Sequence, residues 1–135
     1  STALKMITDI ERFGDQAADI GDLVYTMPGE AYIKNLTHIT AMGELAIKMV
    51  RESVNSFINN DEALADEVIA LDDQMDDLFI EVKTELIELI KKDGNNGDQG
   101  IELMMVAKYL ERIGDHAVNV AEWMKYNETG VHQKF

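Results

Sequence analysis

The residues best suited to chemistry are two pairs of acids, each with its members four positions apart. Asp72 and Asp76 stand in "ALDDQMDDLF", and Glu111 and Asp115 stand in "LERIGDHAVNV". A spacing of four places both members of a pair on one side of a helix. Carboxylate oxygens are the ligands that hard and borderline cations such as Mg²⁺, Ca²⁺, Mn²⁺ and iron prefer. The spacing therefore points to cation binding.

Both pairs lie at the same angles from the apolar stripe of their segment, about 100° and 140° around a helix axis. If the two segments are antiparallel neighbours, all four carboxylates line one groove beside the core. Carboxylates crowded in this way repel one another at neutral pH, and a multivalent cation relieves the repulsion. Glu122 extends the ridge, whereas Asp73 and Asp77 fall further round and are expected to face solvent.

A plain solvated surface is the competing interpretation of the same acids. Acids make up 26 of the 135 residues, so an acidic helix face needs no ligand to explain it. Arg12 and Arg112 also offer local neutralisation. The recurrence of the ridge in two segments favours the metal site, but spacing leaves both interpretations open.

The elements that position these acids are predicted to be helices, because apolar residues recur at steps of three and four. We predict an all-α fold, an antiparallel bundle of four long helices spanning about residues 2–26, 31–59, 61–92 and 99–127. Pro28 and Gly29 end the first helix, Asp61 is the expected N-cap of the third, and "KKDGNNGDQG" is a predicted loop. The apolar stripe of the second helix is Leu36, Ile39, Gly43, Ala46, Val50 and Phe57. The residues expected inside in the fourth are Leu103, Leu110, Ile113, Ala117, Val120 and Met124.

Composition excludes several classes of function. A net charge of −14 argues against nucleic-acid and anionic-lipid partners, and the absence of cysteine excludes thiolate sites. No apolar run is long enough for membrane insertion. His38, His116 and His132 show no helical pairing, and the Glu-x-x-His motif of di-iron bundles is missing. The methionines are expected to fill the core.

An internal repeat links the two ends of the chain. "IERFGDQA" at residues 10–17 and "LERIGDHA" at residues 110–117 match after a shift of 100 residues. A match at so long a period indicates a duplicated unit. We therefore predict that residues 1–27 are the last helix of a first three-helix repeat, and that residues 28–135 are a complete second repeat.

The motifs "ERFGDQAADI", "ERIGDHAVNVAEW" and "ALDDQMDDLF" resemble the signature of the PhoU family of phosphate-uptake regulators. The resemblance implies a cytoplasmic, commonly dimeric protein without catalytic activity. Such proteins repress the phosphate-starvation response, and hence its transcription, by linking the phosphate ABC transporter ATPase to a sensor histidine kinase. The resemblance also implies divalent or trivalent metal ions, with iron, manganese, magnesium and zinc as candidates.

Carried over residue by residue, the family's metal motif falls on acids in three helices. Asp19 and Asn119, one turn after the last acid of each motif, could assist in metal binding. The resemblance places the partner acids of the first-repeat site on a helix that this sequence does not include. The predicted metal residues are Glu11, Asp15, Asp19, Asp72, Asp76, Glu111, Asp115 and Asn119.

Two other functions share parts of this pattern. A PhoU-like cytoplasmic domain of a sodium/phosphate cotransporter would have the same fold, with membrane helices upstream. A carboxylate-bridged metalloenzyme would use the same acids, but the ridge lacks histidine ligands. The match to both repeat motifs favours the free-standing regulator, acting as a homodimer without nucleic acid and without direct membrane insertion.

Overall fold

The computed structural model describes residues 37–129 and, before them, residues 8, 12 and 15. The elements are α1 (Thr37–Asn59), α2 (Glu62–Lys92), a 3₁₀ turn (Gly94–Asn96) and α3 (Gly97–Thr129), with no strand in the described range. The all-α prediction is confirmed. The first predicted helix lies outside the described residues except for Thr8, Arg12 and Asp15, which are helical and exposed. The four-helix bundle therefore stays a prediction.

Contacts between the helix ends define the topology. His38 at the start of α1 meets Glu81 and Glu85 near the end of α2, while Lys48 further along α1 meets Glu67 near the start of α2. The two helices are therefore antiparallel. The C-terminal turns of α1 and α3 lie side by side, with the rings of Phe57 and Trp123 5.2 Å apart. It follows that α1 and α3 are parallel, and α2 runs against both.

The turn between α1 and α2 follows the prediction. Asn60 adopts a positive φ of 54°, a conformation that asparagine tolerates better than most residues. The Asp61 side chain then accepts a hydrogen bond from the backbone N–H of Leu64 at 3.1 Å, which confirms it as an N-cap. This turn sets α2 antiparallel to α1 within two residues of the end of α1.

The predicted loop "KKDGNNGDQG" is wrong over its second half, because α3 begins at Gly97 and includes Gly100. Gly100 is buried, and an added Cβ there would lie 2.7 Å from the Cδ1 atom of Ile90. This glycine lets the first turn of α3 approach the last turn of α2. Asp93 shapes the turn before it by accepting from the N–H of Asn95 at 3.0 Å.

The core agrees with the prediction for α3, where all six residues expected inside are buried: Leu103, Leu110, Ile113, Ala117, Val120 and Met124. In α1 the prediction is partly wrong. Val50 is only half-buried and Phe57 remains 37% exposed, while Met42 and Met49 are fully enclosed. Ser53 and Ser56 are also buried, because their hydroxyls donate to backbone carbonyls one turn back.

The methionines follow the prediction in part. Met42, Met49, Met75 and Met124 fill the core, but Met105 is 51% exposed. Among the residues that the structure describes, no helix combines the length and apolar character needed to cross a bilayer.

Candidate functional site

The candidate site is the groove between α2 and α3, which we call the acidic groove: Asp72 and Asp76 of α2 with Glu111 and Asp115 of α3. The two helices pack closely at Gly114, which is buried. An added Cβ at Gly114 would lie 3.4 Å from the Cε atom of Met75. Met75 stands between the two aspartates of α2, so this contact brings the acid-bearing turns of both helices together.

The pKa of Asp72 responds to acids of both helices. Burial raises the pKa of Asp72, and repulsion from Asp76, Asp115, Asp73 and Glu111 raises it further. Its Oδ1 atom is enclosed and accepts no hydrogen bond from the part of the chain that the structure describes. A buried carboxylate oxygen without a donor is costly, and a cation would satisfy it.

The pKa of Asp115, on α3, is raised for similar reasons. Burial raises the pKa of Asp115, and Glu111 and Asp76 add to the rise by repulsion. His116 and Lys108 oppose it by favouring the charged form. Asp76 therefore repels carboxylates on both helices, which places it within the cluster.

Lys108 forms an ion pair with one acid of the cluster. Its Nζ atom lies 3.0 Å from an oxygen of Glu111, three residues later on the same helix. The ammonium also stands over the ring of Phe79 from α2, 4.7 Å from the ring centre. The aliphatic stem and the ring thus hold one positive charge at the edge of the acidic groove.

Acids of both helices act on each other electrostatically, but Asp76 and Asp115 are exposed, and their role as metal ligands stays a prediction. Asp73, Asp77 and Glu122 are exposed, as expected for the first two. Asn119 and Asp15 are also exposed. Two predicted ligands, Glu11 and Asp19, lie outside the described residues.

The donor chemistry fits a hard cation, since carboxylates line both walls and Asp72 offers a buried, unsatisfied oxygen. In the described range, no group of three or more His, Asp or Glu side chains is arranged so that it could hold a metal ion. A bound ion would require carboxylates on both helices to turn toward one point.

Sequence reasoning missed two sets of partners. Lys108 and Phe79 were not singled out, although the spacing of Lys108 and Glu111 matches a helical ion pair. His38 has no histidine partner in its own helix, but it reaches Glu81 at 3.0 Å and also contacts Glu85. The spacing of four between these two glutamates places them on one side of α2, which was the feature of the sequence that could have indicated a shared partner.

Comparison with known families decides the relationship of the chain. The family model of the PhoU domain matches residues 39–124. This chain belongs to the PhoU family. The family resemblance of its motifs is thereby confirmed, and the acidic groove lies within the matched residues.

Three similar proteins carry the same name, "Phosphate-specific transport system accessory protein PhoU homolog". The Clostridium acetobutylicum protein is 34% identical over 96% of this chain and 59% of its own length. The Xylella fastidiosa protein is 35% identical over 88% and 50%, and the Aquifex aeolicus protein is 38% identical over 80% and 49%. This PhoU chain thus spans about half to three-fifths of these relatives, which are named as accessory proteins and not as enzymes.

Proposed function

We propose that this chain is part of an accessory protein of phosphate-specific transport, which negatively regulates phosphate uptake and the phosphate-starvation response. Membership of the PhoU family and the names of its relatives support this role over a cotransporter domain and over a metalloenzyme. In this proposal residues 1–27 are the last helix of a first repeat and residues 28–135 are the second. The protein is cytoplasmic, homodimeric and non-catalytic.

The acidic groove would give the regulator its metal-binding site. The supporting observation is that burial and neighbouring carboxylates from both helices raise the pKa of Asp72 and of Asp115, and that a buried oxygen of Asp72 has no hydrogen-bond donor among the described residues. Asp72 and Asp76 would bind from one wall, with Glu111 and Asp115 from the other. The cation is divalent or trivalent, and iron, manganese, magnesium and zinc are the candidates.

A cation held by two helices would also define a binding surface. It would neutralise part of the negative charge and join α2 to α3, so that a partner meets a more rigid and less repulsive face. We propose that this face takes part in the adaptor role between the transporter ATPase and the sensor kinase. Retention of both proteins by the metal-loaded protein, and their loss with chelator, would test this step.

Thermal unfolding with Mn²⁺ tests the site itself. A cation that binds only the folded state at a hundred times its Kd adds about 2.7 kcal/mol of stability. We expect a higher melting temperature with Mn²⁺ for the wild type and no rise for Asp76→Asn with Asp115→Asn.

The matched control is Asp77→Asn with Glu102→Gln, which removes one exposed acid from each of the same helices. This control should respond to Mn²⁺ as the wild type does. Equal responses of all three proteins would show that the groove is only a solvated acidic face.

A further inference from the structure

The lysine at the edge of the acidic groove has partners on both of the helices that form it. Lys108 belongs to α3, and its Nζ atom lies 3.0 Å from an oxygen of Glu111 on the same helix. The same Nζ atom stands 4.7 Å from the centre of the Phe79 ring, which belongs to α2. One carboxylate of the groove and one aromatic ring on the facing helix therefore hold the ammonium together.

The ring is the fixed member of this arrangement. Phe79 is partly buried and packs against the hydrophobic core. The side chain of Lys108 is 64% exposed, whereas that of Glu111 is only 20% exposed. An exposed lysine on a flexible four-carbon stem gains little from a carboxylate alone. The face of an aromatic ring attracts a cation and so restricts where the ammonium lies.

The charge of Lys108 acts on a second acid of the groove. Burial and the carboxylates of Glu111 and Asp76 raise the pKa of Asp115, and His116 and Lys108 oppose that rise. The ammonium thus favours the charged form of a carboxylate that its neighbours disfavour. In the metal-free protein it takes over part of the neutralisation that a bound cation would give.

A second lysine shows that this placement is not a property of every helical ion pair. Lys91 and Glu88 are also three positions apart, with 3.8 Å between their charged atoms and both side chains largely exposed. Among the described residues, the ring contact belongs to Lys108 and not to Lys91. The two lysines therefore differ in the ring, which makes Lys91 the matched control for Lys108.

We propose that Phe79 positions Lys108 as a resident counter-ion of the acidic groove, which an incoming metal ion must displace from Glu111. The inference rests on the metal site of the proposed function and names a pair of residues that regulates it. Attraction to a carboxylate grows with the charge of the cation. A divalent or trivalent ion can therefore replace the tethered ammonium, whereas K⁺ has no advantage over it.

Displacement would also change the protein surface. A metal ion bound to Glu111 repels the ammonium, so Lys108 leaves the ring of Phe79 as well as the carboxylate. The exposed face where α2 meets α3 then loses one fixed positive charge at the ring and gains the charge of the metal ion. Occupancy of the groove is in this way converted into a change at the surface.

NMR of the lysine side chains tests the displacement, with Mg²⁺ as a diamagnetic probe. The ring current of Phe79 should shift the CεH₂ protons of Lys108 upfield in chelator. We expect this shift to disappear at saturating Mg²⁺ and to persist in K⁺ at equal ionic strength. Lys91 should show no such shift and no response to Mg²⁺.

Calorimetric titration with Mn²⁺ tests the role of the ring. Phe79→Leu should tighten binding by about twofold to fivefold, the size expected when an exposed cation–π contact is lost. Phe79→Tyr keeps a ring and should bind as the wild type does. In a Lys108→Gln background, Phe79→Leu should have no further effect, because no ammonium remains to be positioned.

Three results would contradict the inference, and they differ in what else they remove. Unmoved Lys108 signals in a protein that binds Mg²⁺ by calorimetry would overturn it and leave the metal site standing. An equal effect of Phe79→Leu with and without Lys108 would show that the ring acts only through packing. The absence of any metal response in the wild type would remove the metal site of the proposed function, and the counter-ion role with it.

Discussion

Helix α2 presents acids to both α1 and α3, but the residues that these acids meet differ between the two helices. Toward α1, Glu67 meets Lys48 at 3.8 Å, and Glu81 meets His38 at 3.0 Å. Toward α3, the aspartates of the acidic groove meet further acids, and burial with mutual repulsion raises the pKa of Asp72. One helix thus forms a charge-paired interface on one side and a charge-crowded groove on the other.

The difference shows that composition alone does not explain the acidic groove. The same groove contains an ion pair at its end, where Lys125 of α3 lies 2.5 Å from Asp66 of α2. Across this interface and along it, Lys125 therefore pairs with Asp66, and Lys108 pairs with Glu111. Exposed ion pairs contribute little to stability, so this distribution matters more for what the groove can bind than for the free energy of unfolding.

Gly114→Leu is expected to have the largest effect on stability, because it disrupts the close packing of α2 against α3 at Gly114. A side chain there would push against Met75 and Met49, whose atoms lie 3.4–3.6 Å from an added Cβ. We expect a loss of about 1–3 kcal/mol in the free energy of unfolding, measured with urea. The Mn²⁺ response should also disappear, since α2 and α3 are forced apart.

Asn119→Leu is the control for this variant, because it adds the same side chain at an exposed position of the same helix. It should change the free energy of unfolding by less than about 0.5 kcal/mol. Equal urea midpoints for the two variants would show that close packing at Gly114 is not required.

Lys108→Gln removes the cation at the edge of the acidic groove. The ammonium competes with a metal ion for Glu111, so its loss should tighten Mn²⁺ binding by about threefold to tenfold. Isothermal titration calorimetry would measure the change. Lys91→Gln, which removes an exposed cation from the far end of α2, should leave the affinity unchanged. Unchanged affinity in both variants would remove Lys108 from the site.

Asp72→Asn tests the cost of crowding without metal. The pKa of Asp72 is raised above 3.8 in the folded protein. At pH values between the unfolded-state pKa and the folded-state pKa, the folded state therefore binds more protons than the unfolded state. The free energy of unfolding of the wild type should therefore fall as the pH rises through that range. At higher pH the loss of stability remains, because Asp72 is then charged in both states. The variant should be about 0.5–1 kcal/mol more stable at pH 7 in chelator.

Urea unfolding at pH 7 and near pH 3.5 would measure this difference, which should shrink at the lower pH as Asp72 becomes protonated. Asp77→Asn, an exposed neighbour on the same helix, should show a much smaller gain. A variant at Asp72 that is less stable than the wild type at pH 7 would argue that the carboxylate is already well neutralised.

His38→Gln is expected to have the smallest effect, because its contacts with Glu81 and Glu85 are partly exposed. We expect a loss of about 0.2–1 kcal/mol, with a coupling of similar size to Glu85→Gln in a double-mutant cycle. The Mn²⁺ response should be unchanged. A changed response would mean that the charge-paired interface and the acidic groove are linked.

The sequence alone was enough for several features of this protein. Helical periodicity predicted α2 closely and the buried residues of α3, and Asp61 was recognisable as a cap. The spacing of four between Asp72 and Asp76, and between Glu111 and Asp115, predicted that each pair lies on one side of its helix. These features depend on local chemistry and on the angle between residues around one helix axis, which the order of residues sets directly.

Other features depended on which helices lie against each other. Periodicity did not show which apolar side of α1 enters the core, because Met49 and Val50 are both apolar and lie on adjacent sides. It also did not show that Gly100 and Gly114 serve close packing, or that Lys108 reaches Phe79 and His38 reaches Glu85. Each of these contacts joins residues on different helices, so it is decided by the packing of the bundle and not by spacing within one segment.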